Sequence, residues 1–345
     1  MTAPARSPRP VPEASGPNRG QGLLRVRFLG VAVFLVLLWV VFAVSADNFL
    51  TAGNARAILF AAAVLTIAAA GEAMVVLTGN LDLSVGSVMG LSAYVTADIS
   101  THVDGGPLLV LVAVAIGAVL GLLNGALVAL LQIPSIVATL GTLSVYRGLT
   151  YVYADGQQIT SNEVPSWFGA LAGGSVAGIP NLVLLALLVV IGAAAALRWT
   201  VPGRMLYAVG SNSDAARFFG LPSVRVVWSS YIVAGAIAGF AGFLYAAQVG
   251  TVTVVLASGW ELQVLAAAVI GGVSIWGGSG SIVGVALGAV VLATIQNGLI
   301  LLGVQAYWQL LIQGAAIVLA VAVDAAITRR AALLSRTRRR VAVTA

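Results

Sequence analysis

The chain has 345 residues and a formal net charge of +6, with 60% hydrophobic and only 8% charged residues, where soluble domains carry about 25% charged. This composition excludes an ordinary soluble enzyme and predicts an all-α, polytopic membrane protein. Every basic residue is arginine, there is no cysteine, and His102 is the single histidine, which excludes a phosphate-loop lysine, a Schiff base, disulfides, thiolate metal sites and paired-histidine sites. No metal and no cofactor are expected.

Residues 1–27, rich in Pro, Gly, Ser and Arg, read as a disordered cytoplasmic tail. A membrane crossing needs about 20 apolar residues, and the permissive stretches predict ten spans over residues 28–327. They are Phe28–Val44, Ile58–Leu77, Leu83–Ile99, Leu108–Leu131, Pro134–Tyr153, Ile179–Leu197, Val227–Val249, Leu262–Trp276, Ile282–Leu302 and Trp308–Ile327. The eighth is short, so a broken helix is expected there. Arginines precede the first span and Val44-Ser45-Ala46 resembles a cleavage site, but its apolar core of about 17 residues exceeds the roughly 7–15 of secretory signals, so an uncleaved anchor is expected.

Between the second and third spans, GEAMVVLTGNLDLSVGSVMG (residues 71–90) sets Asp82, with Asn80 and Ser84, between apolar runs. A carboxylate at membrane depth costs roughly 2.5–3.5 kcal/mol on insertion scales. Asp82 therefore has two readings: it lines or gates a solute pathway, or it caps the third span by accepting from amides near Ser84 and Val85. Glu72, a buried acid on the second span, is a functional candidate on the same ground. Glycines at helix-packing intervals (Gly117, Gly121 and Gly125; Gly235 and Gly239; Gly284 and Gly288) predict close helix crossings. On the fifth span, Thr139 and Thr142 could present hydroxyls to a solute or bond their own helix. Arg147 is expected to snorkel outward or pair with an acid.

The longest polar connection is the loop 198–226. Ser211 or Ser213 can cap a short helix starting near Asp214, and Gly220 followed by Pro222 ends it. Adjacent Phe218 and Phe219, beside Arg217, suit either an anchor in a partner's groove or a helix lying on the membrane surface. Further along, Glu261 could gate, contact a partner or cap its helix, while Gln296 and Asn297 suit polar glue between helices. Residues 76–95 and 269–290 echo one another as apolar hairpins broken by Gly and Ser. Asp324 is expected to partner Arg329 or Arg330, and the basic tail 328–345, with its Arg336–Arg340 cluster, suits anionic lipid rather than nucleic acid.

Fifteen of the 17 arginines lie before the first span, in 198–225, or after Ile327. With ten spans these three segments share one side, cytoplasmic by the positive-inside rule, so both termini are expected in the cytoplasm. Asp47, Asp104, Asp155 and Glu163 then fall on the other side.

The segments LTGNLDLSVGS, IPSIVATLGTLSVYRG, GRMLYAVGSNSDAARFFGL, GWELQVLAAAVIGG and WGGSGSIVG, in that order, resemble the ribose-type permeases of bacterial ABC sugar importers, from about residue 50 to 325. The resemblance implies a ten-span, non-enzymatic permease subunit in the bacterial cell membrane, carrying a monosaccharide or similar polyhydroxylated solute. It implies a cytoplasmic ABC ATPase, an extracytoplasmic solute-binding protein, and a second permease copy or sister permease as partners. Asp214-Ala215-Ala216…Gly220 matches the family's coupling loop, where Glu usually stands for Asp, so Arg204, Asp214, Ala215, Ala216, Arg217, Phe218, Phe219 and Gly220 are expected to couple to the ATPase. Tyr146–Gly148 looks closer to the rhamnose and autoinducer-2 branches. The family more often carries Gln at the Glu72 position, which argues against an essential charge there. Candidate pathway or gate residues are Asn80, Asp82, Ser84, Thr139, Thr142, Glu261 and Asn297. The alternative is an ion-coupled transporter using Glu72, Asp82 or Glu261 as proton carrier; a membrane enzyme is disfavoured by the lack of a paired-Asp or His-centred motif.

Overall fold

A computed structural model describes residues 18–103 and 105–315, together with 318, 319 and 322. In chain order, α1 is Asn18–Ser45, α2 Ala52–Leu77 and α3 Val85–His102. A 3-10 turn (Gly106–Leu109) leads into α4 (Val110–Gly125), which ends in a π-helical turn, Ala126–Leu130, and α5 is Ser135–Ala154. A short α6 (Ser166–Gly173) precedes a two-stranded antiparallel ribbon, β1 (Ser175–Val176) with β2 (Ile179–Pro180), in register Ser175↔Pro180. Then come α7 (Asn181–Trp199), α8 (Val201–Ser211), α9 (Ser213–Phe218), α10 (Ser223–Val249), α11 (Trp260–Ile270) and α12 (Ile282–Leu301). Residues 306–315 are helical again.

A helix hydrophobic on all sides must be surrounded by other helices or by lipid. Helix α2 meets that condition, with residues 62–78 all buried. Helices α7, α10, α11 and α12 pack around it. Among the described residues, five helical stretches are long and apolar enough to cross a membrane: Ala52–Leu77, Gly106–Leu130, Asn181–Trp199, Ser223–Val249 and Ile282–Leu301. The fold is thus mostly helical and polytopic, and the ribbon is a small departure from an all-α reading.

The expected glycine crossing is formed. A Cβ on Gly117 or Gly121 would run into the carbonyl of Gly235 or Tyr231, so α4 and α10 touch backbone to backbone. Gly284 and Gly288 bring α12 equally close to Gly271 and Ala267.

Several boundaries differ from the sequence reading. Helix α1 starts at Asn18, inside the segment expected to be a disordered tail; Pro17 is the last proline before it, and nothing from 18 to 27 lacks an amide donor. Helix α6 is additional. It is drawn into the bundle by Phe168, buried edge-on against Phe243 of α10 at 4.7 Å between ring centroids. The eighth span, expected over Leu262–Trp276, is helical only to Ile270, where the 11-residue α11 ends, and is irregular after it. Residues 1–17, Asp104, Asp324 and the basic tail 328–345 lie outside the described residues, and of the tenth span 308–315 are helical.

Candidate functional site

Helix α2 ends at Leu77, and Gly79, at φ +82°, turns the chain back on itself before α3 begins. The return stretch climbs into the bundle, where the Asp82 amide donates to Glu72 Oε1 at 3.1 Å. Glu72 stands five residues before the end of α2, about 7.5 Å along its axis, so α3 starts inside the bundle and not at its rim.

Around Asp82 the polar side chains close on one another. Its Oδ1 accepts from the Ser84 amide at 2.9 Å and the Ser84 hydroxyl at 2.6 Å. Asn124 of α4 donates Nδ2 to Ser84 Oγ at 2.7 Å and stands 3.4 Å from Asp82 Oδ2. The Tyr146 hydroxyl of α5 donates to Asn124 Oδ1 at 3.0 Å, and the Tyr231 hydroxyl of α10 donates to the Leu81 carbonyl at 2.9 Å. Asp82, Ser84, Asn124, Tyr146 and Tyr231 are all buried. In a low-dielectric interior, polar groups are retained when each finds a partner. Here one carboxylate knits the α2–α3 return to α4, and through Asn124 to α5. Asn80, half-buried at the edge, donates to the Thr78 hydroxyl at 3.0 Å. Sequence reasoning missed Asn124, Tyr146 and Tyr231. A tyrosine inside an apolar run carries a hydroxyl that needs a partner, and that signal was available.

Beyond α10, residues 250–259 fold back into the bundle with Val252, Leu256 and Ala257 buried. Irregular backbone at such a place exposes carbonyls with no helical donor. Arg147 supplies it: it donates Nη1 to the carbonyls of Val254 at 3.0 Å and Leu256 at 2.9 Å, with Glu261 as its nearby opposite charge. Glu261, in the first turn of α11, lies against Gly86, where a Cβ would meet its carboxylate and the Ala257 carbonyl. The starts of α3 and α11 therefore face each other inside the bundle.

Beside the Leu77 end of α2 lies the loop expected to couple to an ATPase. It holds a helix that the sequence reading did not anticipate, α8, whose cap Thr200 accepts from the Gly203 amide at 3.1 Å. Asn212, not Ser211 or Ser213, caps α9, accepting from the Ala215 amide at 2.9 Å. Ser211 closes α8 and Ser213 is already helical, which leaves only the extended Asn212 between them. Asp214 occupies the first turn, Ala216 is buried, and Gly220 at φ +76° ends the helix as expected. Phe218 and Phe219 stand 87% and 79% exposed. Arg217 is exposed beside them, and Arg204 donates to the Trp199 carbonyl at 3.2 Å.

Helix α8 also touches both breaks in the bundle. A Cβ on Gly210 would run into the Leu77 carbonyl, the same oxygen that accepts from the Gly278 amide at 2.9 Å. Tyr207 of α8 donates to the Gly280 carbonyl at 3.2 Å. The α2–α3 return and the α11–α12 connection, the two echoing segments of the sequence, meet under this helix.

The family described as branched-chain amino acid transport system / permease component matches residues 54–321. The chain belongs to this family. It is 36% identical over 295 residues to the ribose import permease of Escherichia coli (strain K12), covering 84% of this chain and 91% of that one. It is 37% identical over 292 residues to the autoinducer 2 import permease of Enterobacter sp. (strain 638), covering 85% and 84%. It is 33% identical over 309 residues to the D-allose transport permease of Escherichia coli (strain K12), covering 87% and 92%. No solved structure matches. The ribose and autoinducer 2 identities are level, so the wording at Tyr146–Gly148 singles out neither branch. The permease is a multi-pass subunit of an ABC importer in the bacterial cell membrane, and ATP hydrolysis belongs to a separate subunit.

The permease does not gather all its candidate residues into one place. Asn80, Asp82 and Ser84 are together, with Glu261 nearby across Gly86. Thr139 and Thr142 of α5 bond their own helix, to the carbonyls of Ser135 at 2.8 Å and Thr139 at 3.3 Å. Asn297 of α12 is remote from Asp82 in its contacts: it donates to Asn54 Oδ1 at 2.8 Å, tying α12 to the start of α2. It is polar glue, as expected.

Proposed function

We propose that the permease imports a monosaccharide or a similar polyhydroxylated solute, driven by motion of α9. The observation that carries the coupling is the pair Phe218 and Phe219, bare on a short capped helix whose neighbour α8 rests on both breaks of the bundle. Large aromatics exposed at the centre of a small rigid platform are the residues that dominate protein–protein docking. The substrate class rests on relatives named for ribose, D-allose and autoinducer 2 import.

In this reading the chain crosses the membrane ten times, with both termini and the loop 198–226 in the cytoplasm. An ATPase seats Arg204 and the Asp214–Gly220 segment. A solute-binding protein delivers solute at the opposite face, a second permease copy or sister permease completes the pathway, and the basic tails hold anionic lipid. Closure of the ATPases displaces α9; α8 passes the displacement through Gly210 to Leu77 and through Tyr207 to Gly280. The α2–α3 return and the α11–α12 connection then shift together, a rocking of packed elements and not a local flutter. Asp82, Ser84 and Asn124 act as the clasp that keeps the start of α3 aligned while its surroundings move, with Glu261 at the facing helix start.

The test is the double variant Phe218→Asp, Phe219→Asp in the reconstituted importer. Concentrative uptake is expected to fall at least about 30-fold, the loss of a hot spot of roughly 2 kcal/mol, with membrane insertion unchanged. Wild-type uptake in that variant would remove the docking role.

A further inference from the structure

The end of the bundle away from α8 and α9 contains a cavity of about 340 Å³ between α2, α10, α11, α12 and the helix at 306–315. Its size is within the range of small-molecule sites, about 300–1,000 Å³. Tyr245, Gln248, Trp260, Gln263, Gln296 and Gln309 supply its polar and aromatic lining, and none of the residues lining it is ionisable as an acid or a base at neutral pH. The Tyr245 and Trp260 rings pack at 4.4 Å between centroids, tilted by 42°, forming one wall. Gln248 Oε1 is buried with no hydrogen-bond partner. Gln309 is held in place by donating Nε2 to the Val304 carbonyl at 2.7 Å.

We infer that this cavity is the permease's own solute subsite and that it takes a neutral polyol. Each glutamine amide offers two donor hydrogens and a carbonyl acceptor. A sugar hydroxyl is at once donor and acceptor, so it pairs with such amides in any orientation, and the C–H face of the ring lies against aromatic carbon. A free amino acid fits poorly. Its ammonium and carboxylate would leave water for a cavity with no opposite charge, and a leucine-type side chain would bury amides without bonding them. An amide acceptor left open inside an apolar bundle is retained when a ligand completes it. The inference rests on the proposed import of a polyhydroxylated solute and adds to it which residues hold that solute and why the solute is uncharged.

The test uses the whole importer (permease, ATPase and binding protein) in proteoliposomes, with radiolabelled D-ribose, D-allose, L-rhamnose and L-leucine as probes. The wild type is expected to accumulate at least one of the sugars and not leucine. Gln248→Leu and Gln296→Leu are expected to cut sugar uptake at least tenfold, while stimulation of the ATPase by loaded binding protein stays within twofold. Unchanged uptake in both, with stimulation intact, overturns the subsite. Should these variants fail to assemble, the absence of cysteine from this chain provides a second measurement. Gln263→Cys, labelled with a water-soluble maleimide, is expected to be protected by the transported sugar; no protection, or protection by leucine alone, overturns the inference. A wild-type importer that moves none of the sugars removes instead the reading on which it rests, which separates the two failures.

Discussion

Around Asp82, near the α8 end of the bundle, the polar groups include two carboxylates and close on one another; around Gln248, at the opposite end, they are neutral and Gln248 Oε1 has no partner. The first region is fully buried; the cavity glutamines are half-buried. In the first, a serine hydroxyl, an asparagine amide and a tyrosine hydroxyl each complete a neighbour, and only Glu72 Oε2 remains without a partner. In the second, four glutamines from four helices surround empty volume. A polar group buried in an apolar bundle is either tied to the protein or placed for something that arrives. The first region holds the shape of the permease; the second is shaped to hold a guest.

The contrast can be broken or sharpened by substitution, and the largest effect is expected at the clasp. Asp82→Ala removes the acceptor for the Ser84 amide and hydroxyl and leaves the Asn124 amide short of a partner, a loss of about 3 kcal/mol. It should be read as a lower melting temperature of the purified complex and a reduced membrane yield, and a variant as stable as wild type would break the distinction. Gly210→Val forces side-chain carbon into the Leu77 carbonyl, an overpacking of about 1–3 kcal/mol. Its signature should be ATP turnover persisting while uptake falls, measured in the same vesicles. Tyr146→Phe deletes one donor shared by Asn124 and the Leu120 carbonyl, for about 1 kcal/mol. Gln248→Met should have the smallest and opposite effect on stability. Removing an acceptor that has no partner should leave the melting temperature unchanged or raise it, by up to about 1 kcal/mol.

Much of this was legible in the amino acids. Apolar length marked the five long apolar helices found among the described residues, glycine intervals marked the α4–α10 crossing, and Asp214 to Gly220 marked a short helix bearing two phenylalanines. The bond from Ser84 to Asp82, two residues away, was readable near the start of α3, although Ser84 and not Asp82 is the cap residue. Other features were not readable. Helix α8 sits in a polar connection with Pro202 and two glycines, and packing on Leu77 and Gly280 holds it. The buried loop 250–259 depends on Arg147, more than 100 residues earlier in the chain, to satisfy its carbonyls. The cavity glutamines are single residues scattered along separate helices, and none stands out from its neighbours until the helices are assembled.

The sequence by itself determined that this protein lives in a membrane, roughly where its helices run, and which small helix presents aromatic rings. Those are local, additive consequences of side-chain transfer free energy and of capping. Only the tertiary structure decided which polar side chains are spent on the protein and which remain free. A hydrogen bond exists or not according to where its partner stands, and here that partner is as far as 243 residues away, as for Asn297 and Asn54.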